Sequence, residues 1–255
     1  MNGTITTIDL SGLKVHVYTP PDESLLVNST VFELADRLIV VDGQIFQRFA
    51  REAGDLIDTL GKPVDRFILT HNHPDHYSGF QHLAGRYPGV RLAALPRVRA
   101  YLATTGQRVL DRRRALFGDE VASRVVVPDA DIVPGEVVIS GVRFLFQEFT
   151  DAEADDSLTI TLPDHGVALV NDLLASPEHH LLTVSPHFDE WIAVLGKIRP
   201  TCPATGSRRS SSAGVGDQVH PVHPQAQPVG PGVLIPLAAS VRRRSAASRR
   251  VPSPN

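Results

Sequence analysis

Apolar positions in the first 200 residues follow two rhythms, short β-branched runs and longer helical spacings, with turn residues between them. Runs at 13–18, 25–34 and 38–41, the last ending at Asp42-Gly43, predict an opening set of antiparallel strands. From 46 to 60 the apolar residues Phe46, Phe49, Ala50, Ala53, Leu56, Ile57 and Leu60 recur at helical spacing, and Gly61 and Pro63 close the segment. The compact run RFILT at 66–70 predicts a buried strand that leads straight into His71. A helix at 77–86, a strand at 90–94 and helical stretches across 97–122 follow. Strands are then predicted at 136–139, 142–149, 158–162 and 167–170, and a helix at 188–198 with Trp191, Ile192, Val194, Leu195 and Ile198 on its apolar positions. Strand groups separated by helices predict an α+β protein with two mixed sheets face to face and helices outside.

Composition changes after residue 200. All fifteen aromatic residues precede that point. Residues 201–255 hold seven arginines and one aspartate, a net +6 against −3 for the whole chain, so residues 1–200 carry −9. The tail is mainly Pro, Ser, Gly, Ala, Gln and Arg, too polar to bury the surface that would offset its ordering entropy; its only apolar run is Val233-Leu234-Ile235 with Leu237. A domain at 1–200 and a low-complexity, disordered tail at 201–255 are expected. The arginines lack interleaved aromatic residues for base stacking, so a passive tail is favoured over a nucleic-acid arm. No run of 18 apolar residues marks a membrane span, and the N-terminus has no secretory pattern, so the expected location is cytoplasmic. A single cysteine, Cys202, excludes a thiolate-rich metal site.

The chemistry is concentrated in THNHPDHYSG, where three histidines and an aspartate fall within six residues. If strand geometry continues, His71 and His73 emerge on one face and meet one metal, while Asn72 points away. Pro74 forces a turn, and Asp75 and His76 then approach from a helix start with an oxygen and a nitrogen for a second metal. Imidazole with carboxylate and no thiolate suits zinc, one or two ions, with iron or manganese as alternatives. The bland alternative is a polar turn whose side chains only cap the helix; capping needs one such residue, not four. His16, His82 and His165 are read as surface or packing residues.

HNHPDH resembles the HxHxDH signature of the metallo-β-lactamase-fold superfamily, and the strand end at Asp42-Gly43, the helix after it and RFILT stand where that superfamily would have them. The resemblance implies the four-layer αβ/βα sandwich. It also implies that His71 and His73 bind the first metal, that Asp75 and His76 serve the second, and that Asp172 in LVNDLL bridges both, with Asn171 where a glycine is usual. Two departures stand out. Where a further first-site histidine is normal, the chain has FTDAEADDSLTITLP, which looks like a branch with a DAEA-type turn. Asp151 or Glu153 then replaces the imidazole, or the turn is a solvated acidic loop. His179, with His180 beside it, resembles a pocket histidine of that branch. The chain also lacks the Pro-Gly-His-Gly-like turn, and so the usual C-terminal strand and helix, after the helix at 188–198; His220 and His223 sit among prolines in the tail. Reading codons from the third base of Thr201 permits Leu-Pro-Gly-His-Gly, so a single-base slip near residue 200 would account for the tail.

These features imply a zinc-dependent hydrolase. Metal coordination brings the pKa of bound water toward neutrality and supplies a hydroxide nucleophile. Asp75 orients water or the second ion and Asp172 holds the pair, with no serine or cysteine nucleophile. The partner is a small-molecule ester, lactone, thioester, phosphoester or β-lactam. The alternative is a non-catalytic remnant that lost a C-terminal ligand.

Overall fold

A computed structural model describes residues 2–174, 187–198 and 233–236. Strands β1 (Thr4–Leu10), β2 (Leu13–Thr19), β3 (Ser29–Glu33) and β4 (Leu38–Val41) run antiparallel in sequence order. Helix α1 (Gln47–Thr59) crosses over to β5 (Val64–Ile68), which pairs parallel with β4. Helices α2 (Pro74–Tyr77) and α3 (Phe80–Arg86) precede β6 (Arg91–Ala94), and α4 (Pro96–Tyr101) and α5 (Gln107–Phe117) precede β7 (Ala130–Asp131), completing a seven-stranded sheet. The second sheet is formed by β8 (Gly135–Ile139), β9 (Val142–Thr150), β10 (Asp156–Leu162) and β11 (Val167–Asn171), all antiparallel. Helix α6 (Phe188–Ile198) follows, and a fifth strand, β12 (Val233–Pro236), pairs parallel with β11.

The layers follow from which faces are apolar. All four β4 residues and four of the five in β3 are buried, because the second sheet covers one face and helices the other. Phe32 and Phe144 meet edge to face across the two sheets, with ring centroids 5.5 Å apart. Helix α1 buries Phe49, Ala50, Ala53, Leu56 and Ile57, the stripe its spacing predicts, and Gly61 ends it with φ +65. On the outer face of the second sheet, Trp191 and Val194 of α6 pack with Phe149, Val170 and Leu173, and the Trp191 indole donates to the Leu173 carbonyl at 3.0 Å. The expected αβ/βα sandwich is present.

Several local expectations are corrected. Strand β1 was not anticipated; its residues are mostly exposed at a sheet edge, so no apolar run marks it. The run at 25–34 contributes only β3, because Leu25 and Leu26 are left-handed. The helix at 77–86 is two helices, broken where Gly79 lies against Gln44. Ile192, placed on the apolar stripe of α6, is 67% exposed. In the tail, the apolar run supplies β12, so one strand of that segment does join the sheet. Cys202 and the tail arginines lie outside the described residues. Among the described residues no helix is long and apolar enough to cross a membrane.

His16 has a structural role, as its sequence context implied. It is buried between Thr7 at 2.9 Å and Glu33 at 2.8 Å. The Lys62 ammonium, also 2.8 Å from Glu33, and then His16 hold that carboxyl below its ordinary value of 4.5 despite burial. A carboxylate with a depressed folded value stabilises fully above its unfolded value and loses that contribution as pH falls through the folded one. Acid unfolding of Glu33→Gln is therefore expected to show a shallower pH slope below 4.5 than the parent, measured by circular dichroism. Truncating the intersheet contact with Phe144→Ala is expected to lower stability by about 3–5 kcal/mol in denaturant titrations.

Candidate metal centre

Strand β5 ends at Ile68, so His71 and His73 are not the continuation of a strand. They converge through the loop instead, with ring centroids 4.7 Å apart. Pro74 takes the first helical position of α2, where its missing N–H costs nothing. His73 stands at the N-cap position but its side chain makes no capping hydrogen bond, which removes the capping explanation. The helix start carries Asp75 outward, half-buried, and His76 inward, 1% exposed.

Two backbone bonds lock this helix to the loop after β4. Gly43 N–H donates to the His76 carbonyl and Gly79 N–H to the Gln44 carbonyl, both at 2.7 Å. A side chain on Gly79 would come within 2.6 Å of the Gln44 nitrogen, so only glycine permits this approach.

Asp42 is the organising group, although in the sequence it marks only the end of a strand. It is 2% exposed and left-handed, with φ +59. Its Oδ1 accepts from the Thr70 N–H at 2.9 Å, and its Oδ2 accepts from the Thr70 hydroxyl at 2.7 Å and from His76 Nδ1 at 2.8 Å. Because the Thr70 hydroxyl proton goes to Asp42, Thr70 Oγ1 accepts from His71 Nδ1 at 3.0 Å. One carboxylate thus fixes the tautomer of His71 and the orientation of both rings, and turns both Nε2 atoms toward the same space. The available signal was a carboxylate directly after the wholly apolar strand LIVV.

The other donors come from the second sheet. Asp172 follows β11, and its Oδ2 lies 3.6 Å from His71 Nε2 and 3.3 Å from His76 Nε2. Asn171 before it has φ +47, a conformation glycine and asparagine tolerate, which explains how asparagine serves where glycine is usual. Its amide donates to the Leu158 carbonyl at 2.9 Å. The acidic turn between β9 and β10 folds inward on buried Ala152 and Ala154, placing Glu153 3.7 Å from His71 Nε2 and 3.3 Å from His73 Nδ1. Asp151 departs from its candidacy: it is exposed, its backbone has φ +57, and it is not part of the group. His82 and His165 also lie outside it. His179, His180, His220 and His223 fall outside the described residues.

Two donor groups result, His71, His73, Glu153 and Asp172, and Asp75, His76 and Asp172, each with ligand atoms within 4.8 Å of one another. His71 Nε2, Glu153 Oε2 and Asp172 Oδ1 are buried without a hydrogen-bond partner among the described residues. Buried polar atoms are rarely left so; His71 Nε2 and Glu153 Oε2 stand 3.7 Å apart, and the donor group they share with His73 and Asp172 fits a divalent cation. The shifts of His71 and Glu153 point the same way. Burial, then His76 and His73, drives His71 well below its ordinary value, toward the neutral form a metal needs. Burial and the neighbouring Asp172 push Glu153 up to about 8. For His76 burial acts downward, but Asp172 and Asp42 outweigh it and hold the ring well above its usual value. Glu153 and Asp172 therefore repel one another unless a cation or proton lies between them. A cavity of about 10 Å³ beside His76 and Asp172 is lined also by Asn171 and by Asn28 and Thr30, two residues the sequence did not single out.

The family model of the metallo-beta-lactamase superfamily matches residues 23–215, more than half of the chain. Among solved structures, a metallo-beta-lactamase from Pontibacter korlensis superimposes with a TM-score of 0.60 at 16% identity, over 79% of this chain and 87% of that one. The FIM-1 metallo-beta-lactamase from Pseudomonas aeruginosa, in a mono-zinc form, gives 0.57 at 17% identity over 79% and 85%. The metallo-beta-lactamase IND-7 gives 0.58 at 14% identity over 78% and 87%. Curated proteins offer no match to the sequence.

If Asp42 orients both rings, Asp42→Asn is expected to weaken divalent-metal affinity about 10–100-fold while the fold persists, as read by chelator competition. An unchanged affinity would remove Asp42 from the account. Gly79→Ala, which pushes α2 off the loop after β4, is expected to lower both metal affinity and thermal stability in the same assay.

Proposed function

We propose that this chain, which belongs to the metallo-β-lactamase superfamily, is a metal-dependent hydrolase that uses zinc, or iron or manganese in the same donors, to open an ester, lactone, thioester, phosphoester or β-lactam bond of a small molecule. The observation that carries the reading is the convergence of His71, His73, Glu153 and Asp172, with buried atoms of three of them lacking a hydrogen-bond partner among the described residues. A bound divalent ion supplies Lewis-acid polarisation and a water that loses its proton near neutral pH.

The chain's own residues do the rest. His71, His73, Glu153 and Asp172 would hold one ion and Asp75, His76 and Asp172 a second, Asp172 being common to both groups. Asp75, half-buried, would orient water or the second ion. The His73 side chain is 30% exposed, so the cluster opens to solvent on the side a substrate approaches. Asp42 and Thr70 keep His71 and His76 aimed inward throughout. No serine or cysteine nucleophile is needed, and the single cysteine lies in the tail.

A second reading is favoured by one observation: the second group has only three donors among the described residues, and Asp172 is one of them. A remnant that holds one ion and turns nothing over has this ligand set. The full-length protein is expected to bind about two zinc ions and to hydrolyse members of an ester, thioester and lactone panel, with activity lost to chelation and restored by zinc. In that assay Asp172→Ala is expected to reduce turnover at least about 100-fold, the upper end of what a supporting residue costs. At most one ion with no hydrolysis of any panel member favours the remnant.

A further inference from the structure

The first donor group differs chemically from an all-imidazole triad, and the difference is concentrated at one residue. Glu153 Oε1 lies 3.3 Å from His73 Nδ1 and Glu153 Oε2 lies 3.7 Å from His71 Nε2; Asp172 Oδ2 is 3.6 Å from the same His71 nitrogen. Donors bound at about 2.1 Å around a tetrahedral ion stand about 3.4 Å apart, so this set is already spaced for one ion. Glu153 is 7% exposed, and its Oε2 has no hydrogen-bond partner among the described residues. The backbone aims it there: the turn residues Ala152 and Ala154 are buried beside it, and small side chains let the turn fold onto the cluster. No lysine or arginine forms an ion pair with Glu153 among the described residues; the groups around it are the histidines and Asp172.

We propose that Glu153 shifts the first half of the centre toward harder divalent cations, Mn²⁺ and Fe²⁺, relative to the preference for Zn²⁺ that a third imidazole would confer. Glu153 brings a second carboxylate to the group beside Asp172, where a third imidazole would add no charge, and so neutralises more of a divalent ion's charge. Bonding to carboxylate oxygen is largely ionic and suits Mn²⁺, whereas imidazole nitrogen adds relatively more to zinc. Replacing one nitrogen donor by oxygen therefore narrows the gap between the ions without reversing the general order of affinities. Because Asp172 Oδ2 also faces His76, the charge that Glu153 adds to the first group extends to the shared boundary with the second.

The inference rests on the cluster being a metal centre, and the test separates the two. Dissociation constants of the full-length, metal-stripped protein are measured for Zn²⁺ by chelator competition and for Mn²⁺ by the electron paramagnetic resonance signal of the free ion. Glu153→His is expected to raise the ratio of the Mn²⁺ to the Zn²⁺ constant about tenfold or more over the parent. If that variant does not fold, as judged by circular dichroism, Glu153→Gln, which keeps the side chain's size, is expected to weaken Mn²⁺ binding more than Zn²⁺ binding. A ratio that does not move in a folded variant overturns the inference and leaves the hydrolase reading standing. A parent protein that binds neither ion overturns both.

Discussion

The centre depends on a single buried carboxylate that touches no ligand space itself. Asp42 accepts two hydrogen bonds from Thr70 and one from His76, and through Thr70 it also determines which nitrogen of His71 is free. Without that acceptor, both rings could rotate or change tautomer, and a donor set spread over two sheets would have no common focus. The fold supplies the rest of the constraint. Gly43 and Gly79 tie the loop after β4 to the α2 start, while the Leu158 N–H donates to the Thr70 carbonyl at 2.9 Å and joins the second sheet to the same corner. The donors meet because strand ends from both sheets are stitched together by backbone bonds at one edge.

That arrangement stores unfavourable electrostatics in a stable frame. Asp42, Asp151 and Asn171 all have left-handed backbones at strand ends beside the site. Side chains that tolerate this conformation carry it, and the packed sandwich around Phe32 and Phe144 holds it in place. Glu153 and Asp172 face imidazoles, and one buried oxygen of each has no hydrogen-bond partner among the described residues. A hydrolytic centre needs such under-satisfied donors, because a cation then completes them and binding energy becomes available at the reacting position.

Much of this was legible in the sequence where pattern and chemistry coincide. The stripe of α1, the strands at 38–41 and 167–170 and the density of donors in THNHPDH all have local signals, since burial of one face or proximity in sequence produces them. Other features depend on contacts that are distant along the chain. Asp42 looked like an ordinary Asp-Gly turn, because nothing local shows that Thr70 and His76 will surround it. The choice between Asp151 and Glu153 stayed open because it depends on which way a five-residue turn folds, and two buried alanines decide that only once the second sheet is in place. Strand β1 was missed for the opposite reason: it is mostly exposed, so packing imposes no apolar pattern on it. The tail composition pointed away from structure, yet its one apolar run forms β12, where an existing sheet edge offers backbone partners.

X-ray absorption at the metal edge of the loaded, full-length protein examines the convergence of these donors most directly. A first shell of nitrogen and oxygen at about 2.0–2.2 Å, with outer-shell scattering from two or three imidazoles and no sulfur, is the predicted result. A fully hydrated ion without imidazole scattering, or a protein that retains no ion after dialysis, would contradict the account.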